Sequence, residues 1–261
     1  MNVAGKQIGP THLRLSMVRT SLVALFGLFI ASAAQAQAPA ATRTPDKLPP
    51  ALDEYKGREI AQTMHWQGAP WLTREERNRE EDTVRMVKEL KLKPEQVVCD
   101  MGCGNGYYTL QIAKRVGAKG LVYAVDIQPE MLSLLKERAS EAGVRNIKPI
   151  LGSVIDPYLP AGSCDLVLCV DVYHEFSHPE HMLKAIRTAL KPEGRLLLVE
   201  FRMEDPKVPI KMEHKMSKEQ ILKELVPNGF KLVEQFDGLP WQHMMWFARD
   251  DAPEKKPEAK Q

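Results

Sequence analysis

An α/β fold is predicted, with a doubly wound, mostly parallel seven-stranded sheet, an antiparallel C-terminal hairpin and helices on both faces. Three observations predict it. Between about 51 and 249, short apolar runs alternate with segments of helical periodicity, the pattern of successive βαβ units. A strand that ends in an acid runs into a glycine-rich turn and then a helix. The last two strands are separated only by a short loop holding Gly238 and Pro240, and so short a link joins antiparallel neighbours.

The elements follow in order. Thr73-x-x-Glu76 has the form of a capping box, and it predicts a charged amphipathic helix to about Leu92, stopped by Pro94. Gln96–Met101 is a short buried strand, and Tyr107–Val116 is the helix after the glycine turn. Leu121–Asp126 is the second strand. Pro129 opens a helix that Gly143 ends. Asn146–Leu151, Cys164–Asp171 and Arg195–Phe201 are the next strands, with a helix at His178–Leu190. Ser217-x-x-Gln220 caps a helix that ends near Asn228-Gly229. Phe230–Phe236 and Gln242–Arg249 are the final pair.

Composition bounds the function. The 261 residues suit one large α/β domain with extensions. At 44% hydrophobic and 27% charged residues, the chain is neither disordered, nor collagen-like, nor a polytopic membrane protein. Residues 1–36 carry Lys6, Arg14 and Arg19 but no acid, so the rest holds 33 basic against 34 acidic residues. A near-neutral domain gives no reason to expect nucleic-acid binding. The basic start, the apolar run 22–34 and Ala34-Gln35-Ala36 read as a secretory signal peptide over 1–36. The expected location is therefore periplasmic or secreted, with an N-terminal membrane anchor as the alternative. Residues 37–50 are expected to be a flexible linker, 51–92 a helical cap within the 51–249 domain, and 250–261 a disordered tail.

The chemistry starts at Asp100-Met101-Gly102-Cys103-Gly104-Asn105-Gly106. Glycines let backbone approach a ligand where a Cβ would clash, and the helix behind them offers unpaired N–H groups. Asp126 ends the next strand, 20 residues past Gly106, where an acid can accept hydrogen bonds from a ribose diol. A dinucleotide site would want the third glycine one residue later. Asp100 would repel a pyrophosphate. A ligand with a ribose and a cationic end fits better, and S-adenosylmethionine has both.

With VVCDMGCGNGYYTL at 97–110, VYAVDIQPEML at 122–132, CDLVLCVDVYHEF at 164–176 and LKPEGRLLLVEF at 190–201, the chain resembles the class I S-adenosylmethionine-dependent methyltransferases. The resemblance covers about 60–230. It implies a Rossmann-like sheet of order 3-2-1-4-5-7-6 with strand 7 antiparallel. It implies that Asp100 and the loop Gly102–Gly106, including Cys103 and Gly104 and followed by Tyr107, hold the methionine end. It places Asp126 on the ribose, Ile127 against the adenine and Asp171 beside the methyl group. Gly152-Ser153 stands where the family often has an adenine-binding acid, leaving Ser153 as the weaker hydrogen-bonding group.

Methyl transfer needs an acceptor placed in line and water excluded. Asp171, Tyr173, His174 and Glu175 follow the fourth strand, and His174 is the candidate base because histidine titrates near neutrality. Its alternative role is a backbone bond at a turn. Met64–Trp71 and Met203–Met216 are candidate lids, or else core packing and a solvated loop. The four cysteines lack C-x2-C spacing, so no metal site is assigned and buried thiols are expected. The expected enzyme methylates a small molecule. A non-catalytic extracytoplasmic ligand-binding protein on the same fold is the alternative, and a nicotinamide oxidoreductase is disfavoured by the glycine spacing.

Overall fold

A computed structural model describes residues 48–253. The signal peptide, most of the linker and the end of the tail expected from sequence lie outside the described residues. A small hairpin comes first, β1 (Glu54–Tyr55) and β2 (Arg58–Glu59). A 3-10 segment at Trp66–Thr73 follows, then α1 (Arg77–Glu81) and α2 (Thr83–Glu89).

The domain proper alternates β3 (Val97–Met101), α3 (Tyr107–Val116), β4 (Leu121–Asp126), α4 (Pro129–Glu141) and β5 (Ile147–Leu151). It continues through β6 (Cys164–Val170), α5 (Pro179–Ala189), β7 (Leu190–Arg202), β8 (Lys215–Met216) and α6 (Lys218–Leu225), and ends with β9 (Phe230–Phe236) and β10 (Gln242–Arg249). The main sheet has the order β5-β4-β3-β6-β7-β10-β9. Counting those seven strands along the chain, this is 3-2-1-4-5-7-6. β10 runs antiparallel to both of its neighbours, as the resemblance implies. The added β8 pairs parallel with the end of β7.

Side-chain alternation along the strands builds a core on each face. On one, Cys99, Val167, Cys169, Leu196 and Leu198 pack with Leu183, Ile186, Ile221 and Leu225 of α5 and α6. On the other, Val98, Val122, Leu168, Leu197 and Val199 meet Ile112 and Val116 of α3 and Met86 and Val87 of α2. All four cysteines are free and buried.

Three expectations are corrected. The single helix from Thr73 to Leu92 is broken in two. Thr73 Oγ1 donates to the Pro70 carbonyl instead of capping. Asp82 takes a left-handed φ of 49° and its side chain caps α2. The break lets Arg74 and Arg77 both reach the buried Glu81, at 2.7 and 2.9 Å. The fifth main strand begins at Leu190, not Arg195, and a register shift against β6 absorbs the extra residues. The tail's first residues are tied down, because Asp250 accepts from Arg187 at 2.6 Å and supplies a backbone N–H to the Gly229 carbonyl. By contrast, the Ser217 cap forms as expected, accepting the Gln220 N–H at 3.1 Å.

Candidate functional site

β3, β4 and β6 end side by side, so the turns that leave them share one edge of the sheet. This is where open α/β sheets bind ligands, beside the point where strand order reverses. A cavity of about 580 Å³ opens there.

The glycine turn forms its floor. Gly102 and Gly104 have φ of 65° and 52°, left-handed conformations that side chains resist. A Cβ on Gly102 would fall 2.4 Å from Val172, and one on Gly104 would fall 2.6 Å from Leu72. Both glycines line the cavity, as do Asp126, Ile127, Ser153, Asp171 and His174.

Asp126 is held by its neighbours. Its Oδ2 accepts the Gly104 N–H and its Oδ1 the Gln128 N–H, each at 2.9 Å. Each carboxylate oxygen has a second lone pair, so capacity for a diol remains. Burial raises its pKa, against the pull of those N–H groups.

Asp171 also sits at a left-handed φ, 52°. Its Oδ2 accepts from Gln242 Nε2 at 2.9 Å, while its Oδ1 is buried with no hydrogen-bond partner among the described residues. Burial drives its pKa well above the carboxylate range, and the charges of Glu81 and Glu200 add to this, with Arg77 opposing. A buried acceptor of this kind calls for a donor from a ligand.

Four residues expected around the ligand do not line the cavity. Asp100 lies beneath the turn and accepts from Thr109 Oγ1 on α3. Burial lifts its pKa to about 6, against the Thr109 bond. It braces the turn against its own helix. Cys103 packs with Ala124, Leu132 and Leu135. Gly106 caps α3, and Tyr107 lies under Arg77 with its hydroxyl 3.0 Å from Thr83. Ser153 is at the cavity wall, but its hydroxyl is engaged in its own loop, with Asp156 O at 3.1 Å and Asp156 N at 3.0 Å.

At the far end, a single 3-10 turn at Tyr173–Glu175 carries His174. Its Nδ1 is 2.6 Å from Glu200 Oε2, and its Nε2 is 3.0 Å from His214 Nδ1. Glu200 is fully buried, and its second oxygen accepts the Tyr173 N–H at 2.9 Å. His174 therefore faces His214 and not open space. Glu175 lines the same end, and burial raises its carboxyl to about 7 against the opposing charge of His174. Sequence reasoning missed Glu200, which is one apolar-flanked acid in a strand, and under-read His214, which only the fold brings to His174.

Both candidate lids close on the cavity. Met64, Trp71 and Leu72 line it from the N-terminal side. Gln128 clamps that segment, donating to the Met64 carbonyl at 2.9 Å and accepting the Trp66 N–H at 2.7 Å. Pro209, Ile210, Lys211 and His214 line it from the other side. That loop is buttressed by the buried Lys215, whose Nζ donates to the Val208 carbonyl at 2.6 Å, so it is not merely solvated.

The lining charges are Glu81, Asp126, Asp171 and Glu175 against Arg77 and Lys211. Arg77 is already paired with Glu81. The remaining acids, Asp126, Asp171 and Glu175, all have pKa values raised by burial, and a cationic ligand end would favour their ionised forms.

A family model for a methyltransferase domain matches residues 92–250. An aklanonic acid methyltransferase from Streptomyces sp. (strain C5) is 39% identical over 27% of this chain and 32% of its own. A ubiquinone/menaquinone biosynthesis C-methyltransferase from Wigglesworthia glossinidia brevipalpis is 31% identical over 41% of this chain and 44% of its own. The chain thus spans less than half the length of these two relatives. The crystal structure of an S-adenosylmethionine-dependent methyltransferase from Aquifex aeolicus shares the fold, with a TM-score of 0.67 at 24% identity over 71% of this chain and 98% of its own.

Proposed function

The chain belongs to the class I S-adenosylmethionine-dependent methyltransferase family, and from that premise we propose that it methylates a small molecule. The observation that carries this reading is Asp171 Oδ1, a buried acceptor without a partner among the described residues, in one cavity with Asp126 and the glycine turn. The residues fit S-adenosylmethionine. Asp171 takes a cationic amine, Asp126 takes a ribose diol, Gly102 and Gly104 admit the backbone-hugging portion, and Ile127 covers the base. Asp100, Cys103, Gly106 and Tyr107 act from behind the turn, as its support.

When bound, S-adenosylmethionine supplies an already activated methyl group. The protein's part is placement and exclusion of water. Met64, Trp71, Leu72, Pro209 and Ile210 shield the cavity. Their apolar character supports a largely apolar acceptor. The acceptor's reacting atom docks at the Glu200–His174–His214 chain, where an imidazole can accept the proton an O–H or N–H nucleophile must lose. The names of the relatives support small-molecule acceptors. The near-neutral body of the chain gives no support for a nucleic-acid acceptor. The apolar run near the N-terminus supports export, and among the described residues no helix is long and apolar enough to cross a membrane. Cell fractionation checks this, and recovery of the chain in the cytoplasm alone would contradict export.

Two results are expected here. His214→Ala should lower turnover about 100-fold, the scale of lost acid–base assistance, with cofactor affinity near wild type. Transfer of radiolabelled methyl to a pool of phenolic and enolic acceptors reads it. Cofactor binding with no transfer to any acceptor would favour the non-catalytic binding protein instead. Secondly, affinity for the cationic cofactor should strengthen as pH rises. Asp171 has a raised pKa in the free protein, so it is neutral at low pH and becomes the anion that pairs with a cation as pH rises through that pKa. Asp171→Asn should weaken binding and flatten this dependence. A wild-type affinity independent of pH would remove Asp171 from the amine.

A further inference from the structure

We propose that His174, His214 and Glu175 form a binding site for a divalent transition-metal ion of the zinc class. One ligand atom from each residue lies within 4.8 Å of the others. The two imidazole nitrogens that face each other, His174 Nε2 and His214 Nδ1, are 3.0 Å apart. Two such nitrogens share either a proton or an ion. A tetrahedral ion with metal–nitrogen bonds of about 2.0–2.1 Å sets its ligand nitrogens about 3.3 Å apart. The pair needs to open by only a few tenths of an ångström to replace the shared proton.

The second observation is Glu200. It holds the other ring nitrogen of His174 at 2.6 Å and is itself fixed by the Tyr173 N–H. A buried carboxylate on the back of an imidazole fixes the tautomer that presents Nε2 as a lone pair, and it is the usual support behind a metal-binding histidine. The third is an entry path. On the outer side of His214 lies a hollow lined by Asp53, Glu54, Glu59 and Glu213, with Lys211 the single opposing cation among its lining residues. Such a funnel concentrates cations beside the site.

Two histidines and one carboxylate leave a fourth position, and the same three residues line the main cavity. An ion there faces the acceptor's reacting atom. It draws off an acceptor hydroxyl's proton to water by lowering its pKa. The methyl–sulfur bond then breaks as the methyl–oxygen bond forms, and the electron pair stays on sulfur. With the ion in place His174 is a ligand, and the ion does what the imidazole pair does alone. This consequence rests on the methyltransferase reading; the binding site itself does not.

The test uses the full chain without a histidine tag, stripped with a chelator and titrated with Co(II) alone. The expected result is about one equivalent bound, with visible d–d absorption from nitrogen ligation. His214→Ala and Glu175→Gln should each weaken it at least about tenfold, and Glu200→Gln about 10–100-fold, the scale for lost support behind a ligand. His181→Ala, on α5 and lining neither hollow, should leave it unchanged. Absence of Co(II) binding in the wild type, or equal binding in His214→Ala and Glu175→Gln, would overturn the site. S-adenosylmethionine binding is measured on the same stripped protein. Retained cofactor binding without Co(II) binding overturns the metal site and leaves the methyltransferase reading standing. Loss of cofactor binding with Co(II) bound does the reverse.

Discussion

Replacing Arg58 by Met is expected to lower the unfolding free energy by about 3–5 kcal/mol, the cost of stranding one member of a buried ion pair. Arg58 makes a fork to the fully buried Glu224, at 2.8 and 3.0 Å. Burial alone would depress the guanidinium, but the hydrogen bonds and charge of Glu224 outweigh it and raise its pKa. Glu224 also accepts from Tyr173 Oη and Gln220 Nε2, each at 2.8 Å. Those neutral donors cannot replace a counter-charge. Urea denaturation measures the loss. The double variant Arg58→Met, Glu224→Leu should recover part of it, because no charge is left buried. A single-variant loss under about 1 kcal/mol would show that Glu224 is neutralised or hydrated without Arg58. The same arginine donates to the His174 carbonyl at 2.8 Å. Turnover in Arg58→Met should therefore fall beyond what unfolding explains, since the turn that carries the imidazole loses its anchor.

Asp126→Ala is expected to weaken S-adenosylmethionine binding by about 1–3 kcal/mol, the scale for losing hydrogen bonds to a charged group. The variant also leaves the Gly104 and Gln128 N–H groups without their acceptor. Gln128 is the residue that clamps the Met64–Trp66 segment, so the lid loosens with it. Calorimetry of Gln128→Ala, which frees the Met64–Trp66 segment but keeps the Asp126 carboxylate, separates the two effects. Unchanged affinity in Asp126→Ala would remove the ribose assignment.

The sheet was legible because its strands are short apolar runs whose ends are marked by acids and glycines. The bounds of α3, β4, β9 and β10 follow those marks to the residue. The segment before the sheet was not legible. Its charges look like a solvated amphipathic helix, yet Arg74, Arg77 and Glu81 turn inward as a buried network that breaks the helix at Asp82. Tertiary pairing overrode the local signal there. The cavity's cofactor end was read in part. Asp126, Gly102 and Gly104 line it, whereas Asp100 points beneath the turn because strand alternation aims it at Thr109 of α3. The acceptor end was hardly legible, because His174, Glu200 and His214 are brought together from three segments up to 40 residues apart.

The cavity at the ends of β3, β4 and β6 is the proposed S-adenosylmethionine site. Titration calorimetry of S-adenosylmethionine and its demethylated product into the folded full chain tests it most directly. Both should bind saturably at about one equivalent, with micromolar affinity that strengthens as pH rises. A chain that is folded by circular dichroism and binds neither would contradict it.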